Sequence, residues 1–171
     1  MDIMFDLETS GRWRGCRVFS LGAVSFNIST GEIKSSFYRN VDCSGTSLLD
    51  DPETMKWWSS QSKEAKDHLM IDRIPLIEAV ENFSGWFNQV GGEEVWAQGA
   101  NFDFPIWEGA CHSVGKTAPW KFWNTRDTRT AYSMANLITS EIPREGVHHN
   151  ALDDCIYQVK CLTQAYKNIN S

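Results

Sequence analysis

The chain has 171 residues, 42% hydrophobic and 22% charged, with eight Trp and nine Phe. That length and composition fit one domain over residues 1–171 with a single core and exclude a disordered chain. No run of about 18 apolar residues and no basic segment leading into an apolar one is found, so neither membrane spanning nor secretion is expected and the cytoplasm is the default; the formal charge of −6 argues against a nucleic-acid binder, which normally presents a basic surface.

The first apolar run reads as a strand, in which Ile3, Phe5 and Leu7 point to one face while Met4, Asp6 and Glu8 point to the other. Two acids therefore share one face of a strand that should enter a core. Neighbouring anions repel, and burying either without a partner is costly, so a positive group is expected between them, with Met4 packed beneath. The stretch Gly11-Arg12-Trp13-Arg14-Gly15-Cys16-Arg17 that follows sets three arginines around an indole. Such a loop suits stacking on a terminal base and contact with phosphates; the alternative is a solvated loop with Trp13 laid on the domain. Residues 17–28 and 32–41, two β-rich runs around Ser29-Thr30-Gly31, predict an antiparallel hairpin.

Asp51-Pro52 predicts an N-cap with proline in the first helical position, opening a helix through Trp57 and Trp58, and residues 62–70 predict another helical stretch. From Pro75, the residues Ile77, Val80, Phe83, Phe87 and Val90 recur at helical spacing until Gly91-Gly92. A short strand over 94–97, a helix over 104–114 ended by Gly115, a short strand over 121–124 and a helix over 128–138 follow. The last helix starts near Asn150, with Leu152, Ile156, Val159, Leu162 and Tyr166 on one stripe. Three strands in a meander, then strands alternating with helices, give an α/β fold with a mixed central sheet and helices on its faces. Cys16, Cys43, Cys111, Cys155 and Cys161 are odd in number and form no C-x-x-C pair, so they read as reduced core thiols. The tryptophans outside the first loop, Trp57 and Trp58 among them, read as packing.

Further acids fall at junctions of elements: Asp103 in Asn101-Phe102-Asp103, Asp127 in Arg126-Asp127-Thr128-Arg129, and Asp153 and Asp154 in His149-Asn150-Ala151-Leu152-Asp153-Asp154. Alone, Asp103, Asp127 and Asp153 are each explained as a helix cap or first-turn acid. Arg126 and Arg129 read either as phosphate contacts or as ion-pair partners of Asp127.

Together, Asp6-x-Glu8 on a strand, Asn101-Phe102-Asp103, and His149 five residues before Asp154 resemble the DEDDh 3′ to 5′ exonucleases of the RNase H-like superfamily. Residues 54–62, 95–103, 119–130 and 149–154 extend the likeness to the subgroup of phage-type exonucleases and mycobacterial-type 3′ to 5′ exoribonucleases. The resemblance implies an RNase H-like fold and a metal-dependent 3′ to 5′ exonuclease that releases 5′ mononucleotides. It implies that Asp6, Glu8, Asp103 and Asp154 bind two Mg²⁺ or Mn²⁺ ions and that His149 is the general base. His148 is the neighbouring candidate, but only His149 has the required spacing to Asp154. Oxygen donors without a Cys cluster favour Mg²⁺ or Mn²⁺ over Zn²⁺. Four carboxylates and two dications cancel, which takes the formal charge from −6 to −2, so net charge is no obstacle to a nucleic-acid partner. The expected partner is single-stranded or 3′-overhang DNA or RNA, with Arg12, Trp13, Arg14, Asn101, Phe102, Arg126 and Arg129 as candidate contacts. A nuclease-dead binding or adaptor module on the same fold and a structure-specific endonuclease are the rival readings. The sequence leaves open the choice between DNA and RNA and whether the chain forms a homodimer.

Overall fold

The computed structural model describes residues 1–171. Its sheet has six strands in the order β4-β3-β2-β1-β5-β6, with β1 (Asp2–Thr9) antiparallel to β2 (Val18–Phe26), itself antiparallel to β3 (Ile33–Asp42). The two-residue β4 (Ile74–Pro75) lies parallel to β3, while β5 (Val95–Ala97) and β6 (Thr125–Asp127) extend the other side parallel to β1. The meander and the antiparallel hairpin are as the sequence predicts.

Period-two alternation in β1 divides the core. Ile3, Phe5 and Leu7 face a cluster that includes Leu76, Val80 and Phe83 of α3 (Leu76–Gln89) and Phe104, Ile106 and Trp107 of α4 (Ala100–Ser113). Met4 faces the other cluster, with Tyr132 of α5 (Thr128–Met134) and Cys155, Val159 and Leu162 of α6 (Ala151–Ile169). Helices thus cover both faces of the sheet, and Asp6 and Glu8, sharing the Met4 face, lie on the α6 side.

Asp51 caps α1 (Pro52–Ser59) by accepting from the Thr54 amide at 3.2 Å, and Ser62 caps α2 (Lys63–His68). Helix α3 ends where Gly91 takes a left-handed conformation, φ +65°, and the Gly92 amide returns to the Phe87 carbonyl at 2.9 Å.

Four predicted details are corrected. Ile77 is exposed, because the buried stripe of α3 runs through Leu76, Ala79, Val80, Phe83 and Phe87. Residues 122–124 form a 3₁₀ turn rather than a strand, leaving Phe122 and Trp123 on the surface, and the strand that pairs with β5 is Thr125–Asp127. Helix α5 stops at Met134 rather than residue 138, since Asn136 adopts φ +48° and the Leu137 amide closes on the Tyr132 carbonyl at 2.9 Å. The stripe of α6 is rotated toward Ala151, Cys155, Val159, Leu162 and Ala165, leaving Tyr166 exposed.

Candidate active site

The carboxyl-terminal end of β1 is the foundation of the site. Opposite Asp6 in register is Gly22, and a Cβ there would lie 2.3 Å from the Ala151 backbone. Only glycine lets the first turn of α6 lie directly on β2, and that turn carries Asp154. Asn150 caps the helix through bonds from the Leu152 and Asp153 amides at 3.1 and 3.2 Å.

Asp103 arrives from the opposite face. It sits in the first turn of α4, which begins at Ala100, four residues before the predicted start, and accepts from the Leu7 amide at 3.1 Å. The earlier start has a cause distant in sequence. Gly99 takes φ +120° as N-cap without a side-chain cap, and the Asp127 carboxylate accepts the Ala100 amide at 2.7 Å. Asp127 also caps α5 by accepting from the Arg129 and Thr130 amides, so one carboxylate joins two helix starts.

These elements enclose a cleft of about 600 Å³ whose walls include Asp6, Glu8, Asp103, Asp154 and His149. Ligand atoms of Glu8, His149 and Asp154 lie within 4.8 Å of one another, while Asp6 and Asp103 face the same space from outside that tightest group. Gln158, one turn beyond Asp154, donates to Asp6 Oδ1 at 2.8 Å.

Burial, then the charges of Asp103, Glu8 and Asp154, hold the Asp6 carboxyl well above the usual range. Burial and the charges of Asp154 and Asp103 do the same to Glu8. Burial lifts Asp103 to about 7 and raises Asp154 as well, against the opposing pull of Arg144. The Arg144 guanidinium pairs with Asp154 and lies over the Tyr157 ring at 4.9 Å. Four acids of which only Asp154 is ion-paired to an arginine form a set of hard oxygen donors short of positive charge, which fits divalent cations.

Not every sequence candidate reaches the cleft. Arg12, Phe102 and Arg129 do. Arg12 also bridges to Glu53 at 3.2 Å, whereas Arg129 makes no ion pair. Trp13, Arg14, Asn101 and Arg126 do not line the cleft. Arg14 meets His112 Nδ1 at 2.5 Å and covers Gly109 of α4, so it straps its loop to the domain. Trp13 folds back over Gly11 of its own loop and stays exposed. Arg126 pairs with Glu94 and not with Asp127. Sequence reasoning missed Trp57, Gln98, Arg144 and Gln158. Gln158 had a signal: four residues beyond Asp154, it occupies the same helix face.

A stability signature follows from these shifts. A carboxyl raised from 3.8 to about 7, as for Asp103, makes the folded state hold more protons than the unfolded chain between those values. Without divalent cations, stability should therefore fall as pH rises from about 4 to 7, with Asp6, Glu8 and Asp154 acting in the same direction. His149, lowered by burial, opposes this trend, one partly buried imidazole against four carboxyls. Thermal melts across that range should show a declining midpoint that Mg²⁺ or Mn²⁺ restores; a midpoint that rises with pH would contradict the charge balance.

The model of the 3′-5′ exoribonuclease Rv2179c-like domain family matches residues 1–166. The chain belongs to that family. It is thus a 3′ to 5′ exonuclease, a hydrolase of phosphodiester bonds. An exodeoxyribonuclease of Enterobacteria phage T4 is 24% identical, over 97% of this chain and 89% of the phage protein. The nuclease domain of 3′hExo, a DEDDh family member solved with rAMP, superposes with a TM-score of 0.65 at 12% identity, covering 97% of this chain and 91% of that one. Exonuclease X in complex with 5′ overhanging duplex DNA gives 0.64 at 18%, covering 100% and 94%. Exonuclease I gives 0.70 at 13%, covering 97% of this chain but 40% of its own length. The shared architecture is RNase H-like. The DEDDh exonucleases depend on divalent metal, and a zinc-bound form of the E. coli exonuclease I complex with single-stranded DNA is among the similar structures. No helix of this chain is long and apolar enough to cross a membrane.

Proposed function

We propose that this exonuclease removes 5′ mononucleotides from the 3′ end of single-stranded or 3′-overhang DNA or RNA. In this reading Asp6, Glu8, Asp103 and Asp154 hold two Mg²⁺ or Mn²⁺ ions and His149 is the general base. The carrying observation is the convergence of four carboxylates and an imidazole, from β1, α4 and the start of α6, in one open cleft. Dications held by these carboxylates would supply charge neutralisation and Lewis acidity to the phosphodiester.

The protein's own groups do the remainder. His149 has both ring nitrogens free of protein hydrogen bonds, so one is available to take a proton from the attacking water. The Leu7 amide and the Gln158 amide fix Asp103 and Asp6, which limits rotation of the two carboxylates. Arg129, exposed and unpaired beside Phe102, offers a guanidinium to a phosphate with an aromatic ring next to it. The five residues of the site come from one chain, so this reading does not require a homodimer. Five buried cysteines, none in a disulfide, support a reducing compartment such as the cytoplasm.

Digestion of 5′-labelled strands should yield a ladder that shortens from the 3′ end and loses all intensity in excess EDTA, while covalently closed circles of the same sequence resist. Rapid cutting of circles would favour the endonuclease reading, and binding without turnover would favour an inactive adaptor.

A further inference from the structure

We infer that Trp57 is a positioning residue for His149, an assignment that rests on the reading of His149 as general base. The imidazole has no hydrogen bond to any protein group, and its backbone sits at φ +62°, a conformation that non-glycine residues adopt infrequently. What meets the ring is aromatic. Trp57 lies 4.9 Å away, centroid to centroid, at an interplanar angle of 85°, and Trp58 lies 6.1 Å away at 75°. The two indoles meet each other at 5.0 Å and 75°, so three rings form an edge-to-face cluster.

The cluster is anchored on the strand that carries the acids. Trp58 is buried and donates from Nε1 to the Thr9 carbonyl at 2.8 Å, immediately after Glu8. Trp57 is different. It is 43% exposed, although indole is among the side chains that gain most from burial, and it lies on the wall of the cleft. The Asp51 cap and Pro52 fix the helix that presents it.

This arrangement suits a base. A carboxylate bonded to the imidazole would orient it but occupy one of its nitrogens. Edge-to-face contact restrains the ring while leaving both nitrogens available, with Glu8 and Asp154 close by. Trp57 thereby acts on the reaction through His149.

The test is a double-mutant cycle read as kcat and KM on a single-stranded oligonucleotide, using Trp57→Ala, Trp57→Phe, His149→Ala and the double variant Trp57→Ala/His149→Ala. Trp57→Ala should lower kcat by about tenfold or more with KM within about threefold, and cost less than about twofold once His149 is absent. Trp57→Phe should restore most of the rate, since a smaller aromatic ring keeps the edge contact. A raised KM with kcat retained would make Trp57 a base-stacking surface instead. An equal loss in both backgrounds would make its contribution independent of His149 and overturn the inference, while leaving His149 as base. A His149→Ala variant with normal kcat would remove the base assignment itself, and this inference with it.

Discussion

Glu8→Gln should reduce turnover by about a thousandfold or more and raise the melting temperature of the protein measured without divalent cations at pH 8. The rate loss follows from removing one anionic oxygen donor from a centre whose chemistry depends on neutralising charge around a phosphodiester. The stabilisation follows from electrostatics: Glu8 is pushed up by burial and by Asp154 and Asp103, so an uncharged isostere removes repulsion that the fold bears when no cation is present. At about 2 to 4 °C per kcal/mol for a chain of this size, even partial relief is measurable. The other three acids should lose activity similarly but differ in stability. Asp6→Asn and Asp103→Asn keep an oxygen for the Gln158 and Leu7 donors and should also stabilise. Asp103→Ala leaves the buried Leu7 amide without its acceptor, a penalty of about 1 to 3 kcal/mol that offsets the gain. Asp154→Asn deprives Arg144 of its ion-pair partner and should not stabilise. Rates within about tenfold of the parent in any of these variants would take that residue out of the centre.

How much of this site can be read from the chain depends on where each cause lies. Asp6 and Glu8 are legible because strand alternation is local and puts both on the α6 face. The α6 start is legible because its cap, Asn150, adjoins it. The α4 start is not, because the group completing it, Asp127, is 27 residues away and is brought alongside by the pairing of β5 with β6. The same pairing displaces the predicted 121–124 strand: β propensity at Phe122 and Trp123 marks an exposed turn, and the ladder forms one step later. Arg14 and Arg126 show the weakness of reading cations as phosphate contacts, since one finds His112 and the other Glu94. Trp57 errs in the opposite direction: the expectation that tryptophan packs the core holds for its neighbour Trp58 and fails for Trp57 itself, because only the helix phase decides which of two adjacent rings turns inward.

His149→Ala should lower turnover roughly 100-fold or more, the usual scale for loss of a general base, while His148→Ala should be nearly silent. The structure separates the two neighbours. His149 lies on the cleft wall against Trp57, whereas His148 is exposed and outside the cleft. The titration of His149 gives the experiment its sign. Burial lowers the His149 pKa below 6.5, Asp154 pulls it upward, and His148 and Arg144 push it down again. A base works when unprotonated, so the rate should rise with pH along a limb centred below 6.5 and flatten near neutrality. His148→Ala removes one depressing charge and should move that limb slightly upward without changing the plateau. His149→Ala should abolish the limb. Metal titration of the same variants separates proton transfer from coordination, because the imidazole also lies within 4.8 Å of Glu8 and Asp154 donor atoms. Unchanged Mn²⁺ affinity in His149→Ala supports the base, whereas affinity falling in step with the rate would make His149 a ligand. If His148→Ala is instead the damaging variant, the base lies one residue earlier in the loop, and the aromatic contact of Trp57 cannot be what positions it.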